Sequence, residues 1–200
     1  KLQKYLEKWL KEEINFILKS LIDLRSLKES NSSIRALAYQ LYENNGVLKR
    51  DSVSEFIKKL NQEDRRTLRS KGVKIGRYHV FLYRIFKPSA VTIRVLLWKN
   101  FFQNNLKLNP PKFGLNFLDL KKIIDQKFML ICGFEKFDNF FVRIDILERL
   151  FIKIIENNEK NKIKLNSDMI NLLGCSKDNF IKLLKLMNYK VEKGEKENEI

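Results

Sequence analysis

Between Gly72 and Ala90 the chain abandons the helical spacing that governs most of its length. In Gly72-Val-Lys-Ile-Gly-Arg-Tyr-His-Val-Phe-Leu-Tyr-Arg-Ile-Phe-Lys-Pro-Ser-Ala90, the residues Val73, Ile75, Val80, Phe81, Leu82 and Tyr83 are mostly β-branched or aromatic and crowd too closely for one helical stripe. This predicts an extended or hairpin element bent at Gly76. Lys87-Pro88 stops it, because the residue before a proline is pushed out of the helical region. Pro88 then suits the first turn of a following helix, where its missing N–H has no partner to lose.

The flanking segments read as helices. Leu2 to Leu27 carries Leu2, Tyr5, Leu6, Trp9, Leu10, Ile14, Ile17, Leu18, Leu21 and Ile22 at helical spacing, which predicts one long amphipathic helix packed as a spine. Ser33 is the expected cap of a second helix with Ile34, Leu37, Ala38 and Leu41 inward, ended by Asn45-Gly46. Ser52 and Glu55 have capping-box spacing ahead of Val53, Phe56, Ile57 and Leu60. Asn61 caps a further helix, Gln62 to Lys71, and Gly72 suits its left-handed terminus. After Pro88 a helix to about Gln103 places Val91, Val95, Trp98 and Phe102 on one face, with Arg94 and Lys99 at the flanks.

Asn109-Pro-Pro-Lys-Phe-Gly114 is the Pro- and Gly-rich stretch and marks a boundary. Beyond it, 118–126 reads as a helix, 128–134 and 140–144 as strands, and Asp145 as the cap of a helix through Ile155 that ends in polar residues 157–162. From Leu165 to Lys190 the order is short helix, turn with Gly174, second helix capped by Ser176, and a strand starting at Tyr189, the layout of a helix-turn-helix with or without a wing. The expected fold class is therefore mainly α: a helical domain over 1–108 with a short β-hairpin or extended segment, a linker at 109–117, a small helix-turn-helix domain at 118–192, and a frayed tail at 193–200.

Charge separates this chain from an ordinary helical domain. Forty Lys and Arg against 24 Asp and Glu give a formal charge of +16, and Arg65 to Leu118 holds twelve Lys and Arg with no acid in 54 residues. Such a run, interleaved with aromatics, fits a polyanionic partner better than a merely solvated face. Phosphate contacts need cations placed along a backbone, and base stacking needs aromatic faces. The candidate nucleic-acid-binding residues are Arg65, Arg66, Arg69, Lys71, Lys74, Arg77, Tyr78, His79, Tyr83, Arg84 and Lys87. Lys177 and Lys182, with Asn179 and Lys185 beside them, are candidates on the second helix of the helix-turn-helix. The competing reading of His79, Tyr78 and Tyr83 is that they pack in the core.

No Gly-x-x-x-x-Gly-Lys-Ser/Thr loop is present to hold a nucleoside triphosphate, and no catalytic set forms around the single His79. Glu12-Glu13 and Glu63-Asp64 fall on polar helix faces or caps. Cys132 and Cys175 lie far apart among apolar neighbours, which predicts free thiols in a reducing cytoplasm, and one histidine cannot complete a metal site with them. The chain begins at Lys rather than Met and carries no signal peptide and no apolar run near about eighteen residues. We expect a segment of a longer cytoplasmic protein with no membrane partner.

Four ordered stretches, Arg35-Ala-Leu-Ala-Tyr-Gln-Leu-Tyr-Glu-Asn-Asn-Gly-Val-Leu48, the Gly72 to Leu82 segment with Lys87-Pro-Ser-Ala90 and Leu97-Trp98, Val142-Arg-Ile-Asp-Ile-Leu-Glu-Arg-Leu150, and Leu172-Leu-Gly-Cys-Ser176 with Met187-Asn-Tyr-Lys190, resemble the C-terminal region of α-proteobacterial superfamily-2 helicases related to the mitochondrial degradosome RNA helicase. The resemblance spans about residues 30 to 192. At position 83 the chain departs from it, with Tyr-Arg where a proline is expected. The resemblance implies an accessory module of an ATP-dependent RNA or DNA helicase whose ATP and Mg sites lie in domains outside this chain, so no cofactor and no catalytic residue is expected here. The expected partners are RNA or DNA, the helicase core in cis, and a nuclease or other protein. A second reading is a scaffolding module in which the helix-turn-helix and the long first helix dock the core or a nuclease, with the apolar strip Trp9, Ile14, Ile17 and Leu21 of that helix partly exposed.

Overall fold

The apolar spacing of the first residues does form helix, in two pieces rather than one. The computed structural model describes residues 2–27, 31–102, 108–121, 125–159, 162–163 and 166–190. The chain divides into two compact units, Lys1–Lys107 and Leu108–Ile200.

In the first unit, α1 (Leu2–Ile17) and α2 (Lys19–Arg25) break at Leu18, whose backbone leaves the helical region (φ −96°, ψ 12°). The break lets Leu18, Leu21 and Leu24 enter the core. The expected spine is thus confined to these residues. None of the α1 residues is buried, and Leu2, Tyr5, Leu6, Trp9 and Leu10 lie on the surface.

Helix α3 (Ser32–Glu43) is capped by Asn31, not Ser33: the Asn31 side chain accepts the Ser33 N–H at 2.8 Å. Asn31 also donates through Nδ2 to Asp64 at 2.7 Å, which ties the start of α3 to the start of a later helix and favours the earlier cap. Ile34, Leu37, Ala38 and Leu41 are buried as their spacing predicts. The helix ends at Asn45 and Gly46, both at positive φ, and turns directly into a strand, β1 (Val47–Lys49), that no periodicity announces.

The Ser52–Glu55 capping box does not form. Ser52 Oγ donates back to the Lys49 carbonyl at 2.7 Å, a 3-10 turn fills Asp51–Val53, and α4 (Ser54–Lys58) starts without a side-chain cap. Val53, Ile57 and Leu60 nevertheless point inward, and Phe56 is half-buried. Asn61 and Asp64 do form a capping box on α5 (Gln62–Ser70), with bonds of 2.8 and 3.0 Å. Satisfying two orphan N–H groups reciprocally is what makes this pattern a strong helix start.

Gly72, at φ +87°, ends the helical region and opens the predicted hairpin of β2 (Val73–Ile75) and β3 (His79–Leu82). Val73 faces Leu82 and Ile75 faces Val80, while β1 pairs the other edge with Val47 opposite Phe81, so β3 is central and all four of its residues are buried. Tyr83–Phe86 leaves the sheet as a 3-10 turn, and α6 (Pro88–Phe101) starts at Pro88. Arg94 is not a flanking residue. It is 3% exposed, with Nη1 donating to the Ile85 carbonyl at 3.3 Å. Helix α6 buries Ala90, Val91, Arg94 and Val95, and leaves Leu96, Leu97 and Phe101 exposed, with Phe102 exposed just beyond its end.

The second unit reverses two expectations. Residues 117–119 are a strand, β4 (Phe117–Asp119), and the expected strand over 128–134 is largely helix α7 (Gln126–Ile131), capped by the Asp125 carboxylate at 2.7 Å from the Lys127 N–H. Phe128, Met129 and Ile131 are buried, and so short an apolar run suits helix and strand alike. Strands β5 (Phe134–Phe137) and β6 (Phe140–Arg143) form a hairpin, with β4 on the free edge of β6. Helix α8 (Ile144–Glu156) starts without a side-chain cap. Asp145 instead accepts both Nε and Nη2 of Arg143, at 2.7 and 2.8 Å, and is buried there.

A two-stranded ribbon, β7 (Asn158–Glu159) and β8 (Lys162–Ile163), precedes α9 (Ser167–Leu173) and α10 (Lys177–Leu186). Gly174 ends α9 at φ +68°, and Ser176 caps α10, accepting the Asn179 N–H at 3.3 Å. The helix–turn–helix order is present, whereas Tyr189 and Lys190 lie in no strand, and the expected tail falls outside the described residues. The chain is mainly α with short antiparallel β segments.

Candidate nucleic-acid interface

The candidate cations of the first unit sort by exposure. The Asn61–Asp64 box fixes the rotation of α5, which puts Asp64 and Leu68 inside and Arg66 and Arg69 on the surface. Arg65 is half-buried, and its Nη2 donates to the Ile57 carbonyl at 2.9 Å. Lys71, Lys74, Arg77, Arg84 and Lys87 are exposed around the turn, the hairpin and the 3-10 segment.

Strand register separates the aromatics. His79 is 3% exposed on the central strand, opposite Lys49, and belongs to the core. Tyr78 is half-buried, and its carbonyl accepts the Arg50 N–H at 2.8 Å. Tyr83 keeps 41% of its surface, and Lys74 Nζ lies 4.7 Å from its ring centroid. Of the three rings proposed for base contact, Tyr83 is the one that faces solvent beside a cation.

Sequence reading missed Arg50 and Lys19. Arg50 grips the hairpin bend, its guanidinium donating to the Gly76 carbonyl while its N–H bonds Tyr78. Lys19, on α2, lines a pocket of about 190 Å³ together with Asp23, Lys71, Gly72 and Arg84. No linear signal could have found Lys19, since it lies far upstream of the acid-free run. The Tyr83 N–H donates to the Gly72 carbonyl at 3.0 Å and so holds the two sides carrying Lys71 and Arg84 together.

In the second unit, Lys177, Lys182 and Lys185 are exposed on α10, with Asp178 exposed beside them, while Phe180, Leu183 and Leu184 are buried. Cys132 is buried, and burial pushes the half-buried Cys175 thiol up to about 11 against a backbone hydrogen bond that lowers it. Among the described residues no group of His, Cys, Asp and Glu is placed to hold a metal ion, and no helix is long and apolar enough to cross a membrane. No family model, no curated protein and no solved structure matches the chain.

Proposed function

We propose that this chain is an accessory nucleic-acid-binding module working beside an ATP-dependent helicase motor supplied in cis. The observation that supports it best is that most candidate cations of the acid-free run lie on the surface, with Tyr83 exposed among them. Cations spaced along a surface neutralise successive phosphates and release counterions, and an exposed ring adds stacking that tolerates any base. The motif resemblance to the C-terminal region of superfamily-2 helicases supplies the motor. ATP and Mg would bind there, and no catalytic step is assigned to this chain.

Titration of labelled single- and double-stranded RNA and DNA at two salt concentrations tests the reading. Affinity falls steeply with salt and weakens on charge reversal at Arg69, Lys74, Arg77 and Arg84. Salt-independent binding, or none at low ionic strength, overturns it.

A second reading has its own support. Of the strip Trp9, Ile14, Ile17 and Leu21 expected to dock a partner, Leu21 is buried and Ile14 and Ile17 are half-buried. The reading therefore rests on Trp9 with Leu2, Tyr5, Leu6 and Leu10, exposed along α1, and on Leu96, Leu97 and Phe101, exposed on α6, which touches α1. Exposed apolar side chains of this kind suit docking of a helicase core or nuclease. Association that rises with protein concentration or with added core domain, and is lost in Trp9→Glu, supports this reading. Its absence in the presence of the core overturns it.

A further inference from the structure

We propose that the pocket beside Gly72 seats a terminal phosphate monoester of the nucleic acid. The inference rests on the nucleic-acid reading above and adds that the module distinguishes a phosphorylated strand end from the interior of a strand.

Three cations from separate parts of the chain line this pocket: Lys19 on α2, Lys71 in the turn after α5, and Arg84 in the 3-10 turn after β3. Among the described lining residues Asp23 is the carboxylate, and their formal charges sum to +2. An internal phosphodiester carries a single negative charge, whereas a phosphate monoester carries about −1.5 to −2 near pH 7 and exposes three acceptor oxygens. The lining therefore matches the monoester more closely in charge.

Donor chemistry agrees with the charge. Lysine offers rotating ammonium donors and arginine a planar fork, both suited to phosphate oxygens. Ser20 adds a hydroxyl to the lining, whereas the Ser70 hydroxyl already donates to the Thr67 carbonyl at 2.7 Å. The backbone bond from Tyr83 N–H to the Gly72 carbonyl, 3.0 Å long, joins the segments bearing Lys71 and Arg84, so these walls are set before a ligand arrives. Preset walls lower the ordering cost of binding.

The test compares one oligonucleotide sequence with a 5′-phosphate, with a 3′-phosphate, and with hydroxyls at both ends. One phosphorylated form binds about tenfold more tightly than the hydroxyl form, the size expected of an added charge-assisted contact. That preference disappears in Lys71→Gln and Arg84→Gln, and increases in Asp23→Asn, a gain that loss of folding cannot imitate. Equal affinity for all three oligonucleotides overturns the assignment and leaves general nucleic-acid binding standing. A preference that none of these substitutions changes also overturns it. Failure of every oligonucleotide to bind removes this inference together with the reading on which it rests.

Discussion

The ammonium of Lys74 lies 4.7 Å from the centroid of the Tyr83 ring, joining a strand residue to the first residue of the turn that follows the hairpin. A cation over an exposed aromatic face is worth about 0.5–1 kcal/mol, too little to fix the fold but enough to hold the ring in a defined pose. Tyr83→Ala is expected to weaken single-stranded binding by about 1–3 kcal/mol, the usual value of one stacked base. Duplex binding changes much less, because a duplex keeps its bases stacked internally. Fluorescence anisotropy on matched strands measures both.

Arg65 and Arg66 are neighbours in sequence with different surroundings. Arg66 is exposed, so Arg66→Ala lowers the slope of log affinity against log salt by about one and leaves thermal stability unchanged. Arg65 donates to the Ile57 carbonyl at 2.9 Å, and Arg65→Ala is expected to cost about 1 kcal/mol of folding stability with a smaller effect on the slope. Urea denaturation and salt-dependent titration of the two variants separate the roles.

Gly46 and Gly72 share positive φ but not surroundings. A methyl at Gly46 would sit 3.0 and 3.2 Å from two carbons of Ile85, whereas at Gly72 the nearest contact is Leu82 Cδ1 at 3.6 Å. Backbone strain costs about 1 kcal/mol or more at either position, and crowding adds to it at Gly46. Gly46→Ala is therefore the more destabilising, by a margin visible as a lower melting temperature.

Cys175 is expected to react slowly with alkylating reagents. With its thiol raised from 9.0 to about 11, the thiolate at pH 8 is roughly a hundredfold scarcer than for an ordinary cysteine. The native state disfavours the thiolate, so this group's contribution to stability is present below about pH 9 and declines as pH climbs toward 11. Timed iodoacetamide labelling of the native and urea-unfolded protein, read by peptide mass, checks the reactivity.

Local chemistry made part of this structure readable. The Asn61–Asp64 spacing encodes a helix start, Gly72 a helix stop, and Gly174 with Ser176 a turn between helices, because each acts through neighbours in sequence. What stayed hidden depends on distant partners. Asn31 outcompetes Ser33 because Asp64 is there to receive it, and α6 is apolar around so much of its circumference that no period reveals which side faces in. Phe128 to Ile131 falls into a helix because Asp125 caps it, a local signal outweighed in sequence by the β-like composition nearby. For the candidate site, exposed cations were legible as charge, but the convergence of Lys19 with Lys71 and Arg84 is a property of the tertiary fold.

The β1–β3 pairing has a consequence for synthesis on the ribosome. Val47 to Lys49 finds its strand partner at His79 to Phe81, after α4, α5 and β2 have been made. A nascent chain that ends near Gly72 thus carries β1 with its one sheet neighbour, β3, not yet translated. Closing that long loop is the slow, entropically costly step for the first unit. During that interval the chain has helices but no sheet, and it is then that a chaperone would have most to protect.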